Sequence, residues 1–297
     1  MSSSTATYQK PVPETPQGFP PQHQPAHPGN QQEMAPTPLV DNPLYIGSNK
    51  LQDRVAIITG GDSGIGQATA IAFAKEGADV AVLYLSSDAD AAVTKNMVET
   101  HGRRCGLYRC DLREEQASAH AVDQVMKDFG RIDILVNNAG VQYPQNSIED
   151  ITAQQLQETF SVNIMSCFFM IKACLKHMKP GASIINTSSI TAYKGHKTLI
   201  DYSATKGAIV SFTRSLSLSL ISRGIRVNAV APGSVWTPLI PSSFSSQDVE
   251  QFGKNAPIGR AAQPFELAPT YVYLASDDSG YVSGQVLHVN GGTITES

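Results

Sequence analysis

From residue 51 onward, short apolar runs alternate with segments whose apolar positions recur every three or four residues. The run at 55–59 is continuous and ends in glycines, as suits a strand buried on both faces. The same reading predicts a helix over 65–76, a strand over 79–85, a helix over 90–101 and a strand over 107–110. A helix over 114–129 then leads to a fourth strand over 132–136. A long helix is expected over about 152–178, with Ile164, Phe168 and Ile171 on its apolar side. A strand at 184–185, a helix over 202–222 and a strand over 227–230 follow. The loop-rich stretch 232–276, with short helices, precedes a last strand at 286–289. Continuous apolar strands separated by such helices imply α/β architecture, a parallel sheet of about seven strands covered on both faces. Right-handed crossovers make that sheet doubly wound.

Residues 1–48 differ in kind. Ten of the 18 prolines fall in the first 50 residues, among Gln, His, Ser and Thr. Such a segment buries too little apolar surface to offset its ordering entropy, so an extended Pro/Gln-rich tail is expected ahead of a domain over 49–297. Its later part, 38–46, carries Leu39, Val40, Leu44, Tyr45 and Ile46. Two readings stay open there: a solvated linker, or a strap across the domain or a neighbouring subunit.

Composition narrows the function classes. A net charge of −4 gives no electrostatic case for nucleic acid. No apolar run reaches the roughly 18 residues that span a bilayer, so no membrane partner is expected. No secretory signal is visible, and a cytoplasmic location is expected. The four cysteines, at 105, 110, 167 and 174, match no zinc spacing. They read as reduced structural thiols, and no metal is expected.

The segment 59–66 reads T-G-G-D-S-G-I-G, between the first strand and the first helix. Glycines there let the backbone turn sharply and approach a pyrophosphate, and the helix N-terminus offers free N–H groups. The fourth strand ends in Asn137, Asn138, Ala139 and Gly140, small residues that leave room for a ribose or nicotinamide. Asp111, at the end of the third strand, is placed to accept from an adenine amino group. Asn163 sits inside the long helix at a cost in propensity, which suggests a specific hydrogen-bonding job.

The stretch 184–206 carries the remaining chemistry. Ser189 lies in a polar corner after a short strand, Tyr202 comes thirteen residues later, and Lys206 one helical turn beyond it. A hydroxyl, a phenol and an ammonium gathered there suit moving a proton on and off an alcohol oxygen. A phenol of pKa about 10 is a poor base at neutral pH unless positive charge favours the phenolate. Lys206 is expected to supply that charge. Y-x-x-x-K alone is a weak pattern, and its weight comes from the other motifs.

These motifs together resemble the short-chain dehydrogenase/reductase family, nicotinamide-dependent enzymes with a single Rossmann domain. T-G-x-x-x-G-x-G at 59–66, N-N-A-G at 137–140, Asn163, Ser189, Tyr202 and Lys206, and Pro232-Gly233 carry the resemblance over about 51–292. The tail, with T-S-S-I-x-A-Y and Y-V-Y-L-A-S, is similar to a bacterial subgroup described as glucose/ribitol dehydrogenase-like or general stress oxidoreductases.

The resemblance implies that Tyr202 is the acid/base and that Lys206 lowers its pKa and binds the nicotinamide ribose. It implies that Ser189, rather than Ser188, orients the substrate oxygen, and that Asn163 holds a water linking Lys206 to solvent. The implied cofactor contacts begin with Gly60, Asp62, Ser63, Gly64, Ile65 and Gly66. Tyr84 follows on the second strand, Asp111 and Leu112 after the third, and Asn138, Ala139 and Gly140 after the fourth. Tyr202 and Lys206 complete them, with Pro232, Gly233, Val235 and Thr237 on the nicotinamide side. A homotetramer is implied, with the helices over 152–178 and 202–222 packing in a four-helix interface.

An acid at the end of the second strand would favour NAD, but Tyr84 stands there, and the basic residues that favour NADP are also missing. Asp62 adds negative charge to the loop, so NAD is expected, with NADP the alternative. Ile190, Tyr193, His196, Gln142, Tyr143 and Trp236, with the segment 234–259 as a mobile lid, are the candidate substrate pocket. Their hydroxyl, amide and aromatic groups suit a polyol, a sugar, or a small ketone or aldehyde alike. The expected activity is hydride transfer between nicotinamide and an alcohol/carbonyl pair. The alternative is a cofactor-sensing or stress-related binding protein with little turnover.

Overall fold

The structure, a computed structural model, describes residues 14–295. Seven strands form one parallel sheet: β1 (Val55–Thr59), β2 (Asp79–Tyr84), β3 (Cys105–Arg109), β4 (Ile134–Asn137), β5 (Ser183–Thr187), β6 (Arg226–Pro232) and β7 (Val286–Val289). Their order is β3-β2-β1-β4-β5-β6-β7. The chain works outward from β1 to one edge, then returns to β4 and works outward to the other. The crevice between the carboxyl ends of β1 and β4 is therefore the topological switch point where doubly wound sheets bind ligands.

Side chains alternate across the sheet. Ala56 and Ile58 join Val82, Ile185 and Val230 on one face, under α1 (Gly64–Lys75) and a late helix over Ala268–Ala275. Ile57 joins Leu83, Leu135, Ile184 and Val227 on the other. There α3 (Glu115–Phe129) and the apolar side of the long helical segment cover them; α2 (Asp88–Glu99) packs beside α1.

The expected long helix is interrupted. It consists of α4 (Ala153–Phe160), a π-helical turn at Ser161–Met165 and α5 (Ser166–Leu175). Ile164 and Ile171 are buried as expected, but Phe168 is half exposed and lies against Phe212 with ring centroids 4.2 Å apart. The segment Ala153–Leu175 is long and apolar enough to cross a bilayer by length and composition alone; half of its most apolar stretch is buried inside the protein. A short α6 (Thr191–Lys194) precedes α7, which spans Ile200–Leu220 and places Tyr202 in its first turn. All four cysteines are buried free thiols, and burial pushes Cys110 and Cys167 up to about 11 and Cys105 and Cys174 up to about 12.

The described part of the N-terminal segment has a single 3₁₀ turn, Gln31–Glu33, and otherwise runs extended; residues 1–13 of the expected tail lie outside the described residues. It packs on the domain more closely than its composition suggests. Phe19 and Met34 are buried in a small cluster with Trp236, Ile240 and Val249. Farther on, Val40 and Tyr45 lie on the main core, while Leu44 and Ile46 are exposed. The buried Glu76 carboxylate fixes this end, accepting from Tyr45 Oη and from the main-chain N–H groups of Ser48 (2.8 Å) and Lys50 (3.0 Å). Few apolar side chains suffice here because backbone and carboxylate hydrogen bonds hold the rest.

Candidate active site

A cleft of about 860 Å³ runs along the carboxyl ends of the strands, lined by the glycine loop, the 138–143 segment, Ser189, Tyr202, Lys206 and the 232–240 segment. Its floor depends on glycine. Gly60 has φ +60°, and a Cβ on it would lie 3.1 Å from Ala139 Cα. On Gly66 a Cβ would fall 2.0 Å from the Gly60 carbonyl oxygen, so α1 starts directly against the end of β1.

Asn138 locks this arrangement. Its Nδ2 donates to the carbonyls of Thr59 and Gly60, both at 3.1 Å, and its N–H donates to Thr59 Oγ1 at 2.9 Å. The Ala139 N–H also reaches Thr59 Oγ1, at 3.1 Å. The side-chain amide of Asn138 thus joins the β4 loop to the glycine loop. Gly60, Asp62, Ser63, Gly64, Ile65, Tyr84, Asp111, Leu112, Asn138, Ala139 and Gly140 all line the cleft. Gly66 lies just behind the loop, where it sets the approach of helix to strand. Pro232, Gly233, Val235 and Thr237 line the opposite wall.

Asp111 is less free than a lone loop acid. Arg113 Nε donates to both its oxygens, at 2.9 and 3.1 Å, and holds its carboxyl below the usual range. Arg113 also pairs with Glu158 of α4 at 2.9 Å. This chain of charges along the wall joins residues 45 apart and has no sequence motif. Burial pushes the Asp62 carboxyl up to about 6, and Tyr84 donates to Asp88 Oδ1 at 2.7 Å.

The proton-handling trio does converge. Lys206, 3% exposed, donates from Nζ to the Thr187 carbonyl at 2.8 Å, and its Nζ lies 5.4 Å from the centre of the Tyr202 ring. Ser189 Oγ accepts from the N–H and the hydroxyl of Thr191, each at 3.1 Å, and lies beside the phenol. Ser188 is engaged elsewhere, donating to the Lys206 carbonyl at 2.9 Å. Asp201, buried at the start of α7, accepts from Thr159 Oγ1 (2.7 Å), Gln155 Nε2 (3.0 Å) and the Tyr202 N–H (2.9 Å). It fixes the first turn of α7 against α4, and with it the tyrosine.

Burial dominates the electrostatics of the trio. Burial pushes the Tyr202 phenol up to about 12, with the Ser189 hydroxyl acting the other way, and burial brings the Lys206 ammonium down to about 8. Burial is therefore the largest influence on the phenol, and the Ser189 hydroxyl opposes it. Desolvating a phenolate costs more than the neighbouring dipoles return, and the ammonium's nearest partner is the Thr187 carbonyl.

Asn163, fully buried, is placed by the π-turn and uses its side chain on protein. Oδ1 accepts from the Val141 N–H at 2.8 Å, and Nδ2 donates to the Val141 carbonyl (2.9 Å) and Thr205 Oγ1 (3.1 Å). The amide therefore ties the 140–141 loop to α7. A π-turn shifts the helical pairing by one residue, a feature common at functional sites.

Of the candidate pocket residues, Gln142, Tyr143, Ile190 and His196 line the cleft. Tyr193 turns instead toward His288, with ring centroids 4.5 Å apart. Trp236 is fully buried, stacks on Phe19 at 3.8 Å and donates from Nε1 to the Pro36 carbonyl at 2.8 Å. It is a packing residue rather than part of the pocket, because the tail supplies a ring to cover it. The cleft also includes His27 and Pro28 from that tail, which the local pattern of the sequence did not indicate.

A glycine-floored crevice at the switch point, facing a Ser–Tyr–Lys cluster on the next strand and helix, defines an oxidoreductase, and the chain belongs to the short-chain dehydrogenase/reductase family. A family model described as enoyl-(acyl carrier protein) reductase matches residues 60–294. The chain is 52% identical to a glucose and ribitol dehydrogenase of Daucus carota, over 93% of this chain and 97% of that protein. It is also 52% identical to general stress protein 39 of Bacillus subtilis, with the same coverage. A short-chain dehydrogenase of Burkholderia cenocepacia, solved in complex with NADP, superposes with a TM-score of 0.77 at 32% identity, covering 82% of this chain and 98% of that one.

Proposed function

We propose that the protein exchanges a hydride between a nicotinamide dinucleotide and an alcohol/carbonyl pair, with a polyol, sugar, or small ketone or aldehyde as substrate. The observation that carries this reading is the gathering of Ser189, Tyr202 and Lys206 at the end of β5, across the cleft from the glycine loop. The residues fit a dinucleotide: the close contact of Gly66 with the Gly60 carbonyl sets a glycine turn at the α1 N-terminus, where N–H groups favour a pyrophosphate. The cofactor supplies hydride acceptance and donation.

The chain's own residues handle the proton. Ser189 donates to the substrate oxygen and holds it beside the phenol. Tyr202 gives its proton to that oxygen in reduction and removes it in oxidation. Lys206, anchored on Thr187, opposes the burial of the phenol with its positive charge and would hold a ribose hydroxyl of the bound dinucleotide. Asn163 keeps Lys206 and the 140–141 loop in register. A panel of alcohols and carbonyls, offered with both nicotinamides and read by absorbance of the reduced cofactor, tests the reading. Absence of turnover across the whole panel would leave the binding-protein alternative standing.

A phenol held at about 12 gives the two directions different pH profiles. Oxidation needs the phenolate, so its kcat/KM should rise about tenfold per pH unit from pH 6 toward 8. Above about 8 the Lys206 ammonium loses its proton in the free protein, and the rise should bend over. Reduction uses the neutral phenol and should stay nearly flat between pH 6 and 8. An oxidation rate independent of pH across that window would contradict the role given to Tyr202.

NAD is the proposed preference. Asp62 puts negative charge in the loop, and near the end of β2 Arg109 is engaged by the Leu85 carbonyl at 3.0 Å and by Asp88 at 3.9 Å. The NADP complex of the Burkholderia relative is the reason to titrate both. Tenfold tighter binding of the 2′-phosphate form, about 1.4 kcal/mol, would reverse the assignment.

A tetramer is proposed through the α4–α5 and α7 faces. Leu156, Met165, Phe168 and Leu218 are exposed there, an apolar surface suited to subunit contact. Light scattering that gave a monomer at micromolar concentration would remove this proposal.

A further inference from the structure

We infer that Gln31, in the segment preceding the dehydrogenase domain, is a positioning residue of the dinucleotide site. The inference rests on the proposed use of the glycine loop for a nicotinamide dinucleotide. Gln31 is 5% exposed, and its Oε1 accepts from the Gly64 N–H at 2.8 Å. Gly64 is the first residue of α1, so this is one of the N–H groups that a helix cannot satisfy itself. The bond comes from behind the loop: Gln31 lies outside the lining of the cleft, whereas Gly64 belongs to it.

The same side chain works in a second direction. Its Nε2 donates to Gln67 Oε1, and Gln67 Nε2 donates to Thr94 Oγ1 at 2.8 Å. Thr94 Oγ1 lies 2.9 Å from the Asp62 carbonyl, on the loop again. The Gln31 N–H donates to Asp90 Oδ2 at 3.0 Å, and Gln32 and Ser87 also donate to that carboxylate. One tail residue thereby closes a ring of hydrogen bonds through the glycine loop, α1 and α2. A neutral amide is the right group. A glutamate would accept from Gly64 but not donate to Gln67, and would add a carboxylate beside Asp62 and Asp90.

The flanking tail extends this hold to the opposite wall. Phe19 covers Trp236, the Gln24 N–H donates to the Pro241 carbonyl at 2.8 Å, and His27 Nδ1 pairs with Ser242 Oγ at 3.0 Å. That wall touches the loop directly, since a Cβ on Gly64 would lie 2.9 Å from Thr237 Cγ2. The segment 234–259, expected to be a lid, is therefore strapped at its first half to the tail that also holds the glycine loop. Loop and wall are thus held by one segment as a clamp on the dinucleotide, and Gln31 sets the position of the loop.

The test uses the full chain and its single tryptophan, Trp236, as reporter. NAD and NADP are titrated against wild type, Gln31→Met and Gln31→Glu, with thermal melting of each. Met keeps the length and packing of the side chain and removes both hydrogen bonds. Positioning by hydrogen bonds predicts that both variants bind either dinucleotide about tenfold more weakly. It also predicts that kcat at saturating cofactor stays within about twofold and that the Met variant melts within a few degrees of wild type. Near wild-type affinity in Gln31→Met would overturn the inference. Failure of the wild type to bind either dinucleotide would overturn the cofactor reading itself, and this inference with it. Hydrogen exchange on the wild type is independent of variant folding: a peptide covering 60–68 should be protected without cofactor, and exchange as fast as an exposed loop would refute the clamp.

Discussion

Replacing Tyr202 by phenylalanine should lower kcat by about 10²–10⁴-fold while changing the dinucleotide Kd by no more than about twofold. The ring stays, so the packing at the start of α7 stays, and only the hydroxyl that carries the proton is lost. Tyr202 is buried and its N–H is held by the Asp201 carboxylate, so the substitution leaves the backbone in place. Lys206 keeps its bond to the Thr187 carbonyl and remains available to the cofactor. Steady-state rates on an active alcohol, with the Kd measured separately, separate the two effects. Near-normal turnover in this variant would end the acid/base assignment.

The second large effect should come from Gly66→Ala. A Cβ there would stand 2.0 Å from the Gly60 carbonyl oxygen and 2.8 Å from Asn138 Nδ2, far inside contact distance. Neither neighbour can yield cheaply. One is backbone at the end of β1, and the other already donates to two carbonyls there, joining β1 to β4. The start of α1 must move away from β1, at a cost of about 3 kcal/mol in stability. The glycine loop moves with it, and dinucleotide affinity should fall by at least about 100-fold, or about 2.7 kcal/mol. Urea unfolding and calorimetric titration check the two parts. Binding within about tenfold of wild type would show that the helix–strand contact does not shape the cofactor site.

Much of the fold was legible because its signals are local. The strands are short apolar or mixed runs bounded by turns, and the helices between them bring a 3.6-residue period that a strand cannot mimic. The expected doubly wound sheet is the one observed, with strand ends displaced by a residue or two. Ser189, Tyr202 and Lys206 could be read together because one strand end and one helix, adjacent in sequence, carry all three. The long helix was less legible. The π-turn places Asn163 against Val141 and Thr205, partners 22 and 42 residues away in the chain.

The tail shows the limit from another side. Its proline and glutamine content reads as a solvated segment, and composition has no term for what a particular glutamine can reach. Phe19 and Met34 were the signals available, two apolar side chains in a polar stretch. Their partners, Trp236 and its neighbours, lie some two hundred residues on. The protonation of the site was out of reach for a similar reason. Proximity of an ammonium suggested an acidic phenol, whereas the depth at which β5 and α7 bury Tyr202 pushes it the other way.

By itself, then, the amino-acid order determined the alternation of strand and helix, the glycine turn at the start of α1 and the spacing of the proton-handling groups. These follow from backbone sterics and from apolar periodicity within a single element. Only the tertiary structure decided what Asn138 and Asn163 hold, how deeply Tyr202 is buried, and that Gln31 braces the glycine loop from behind while Phe19 covers the cleft wall. Those outcomes depend on desolvation and on hydrogen bonds between segments distant in the chain, and both exist only once the sheet has brought the segments together.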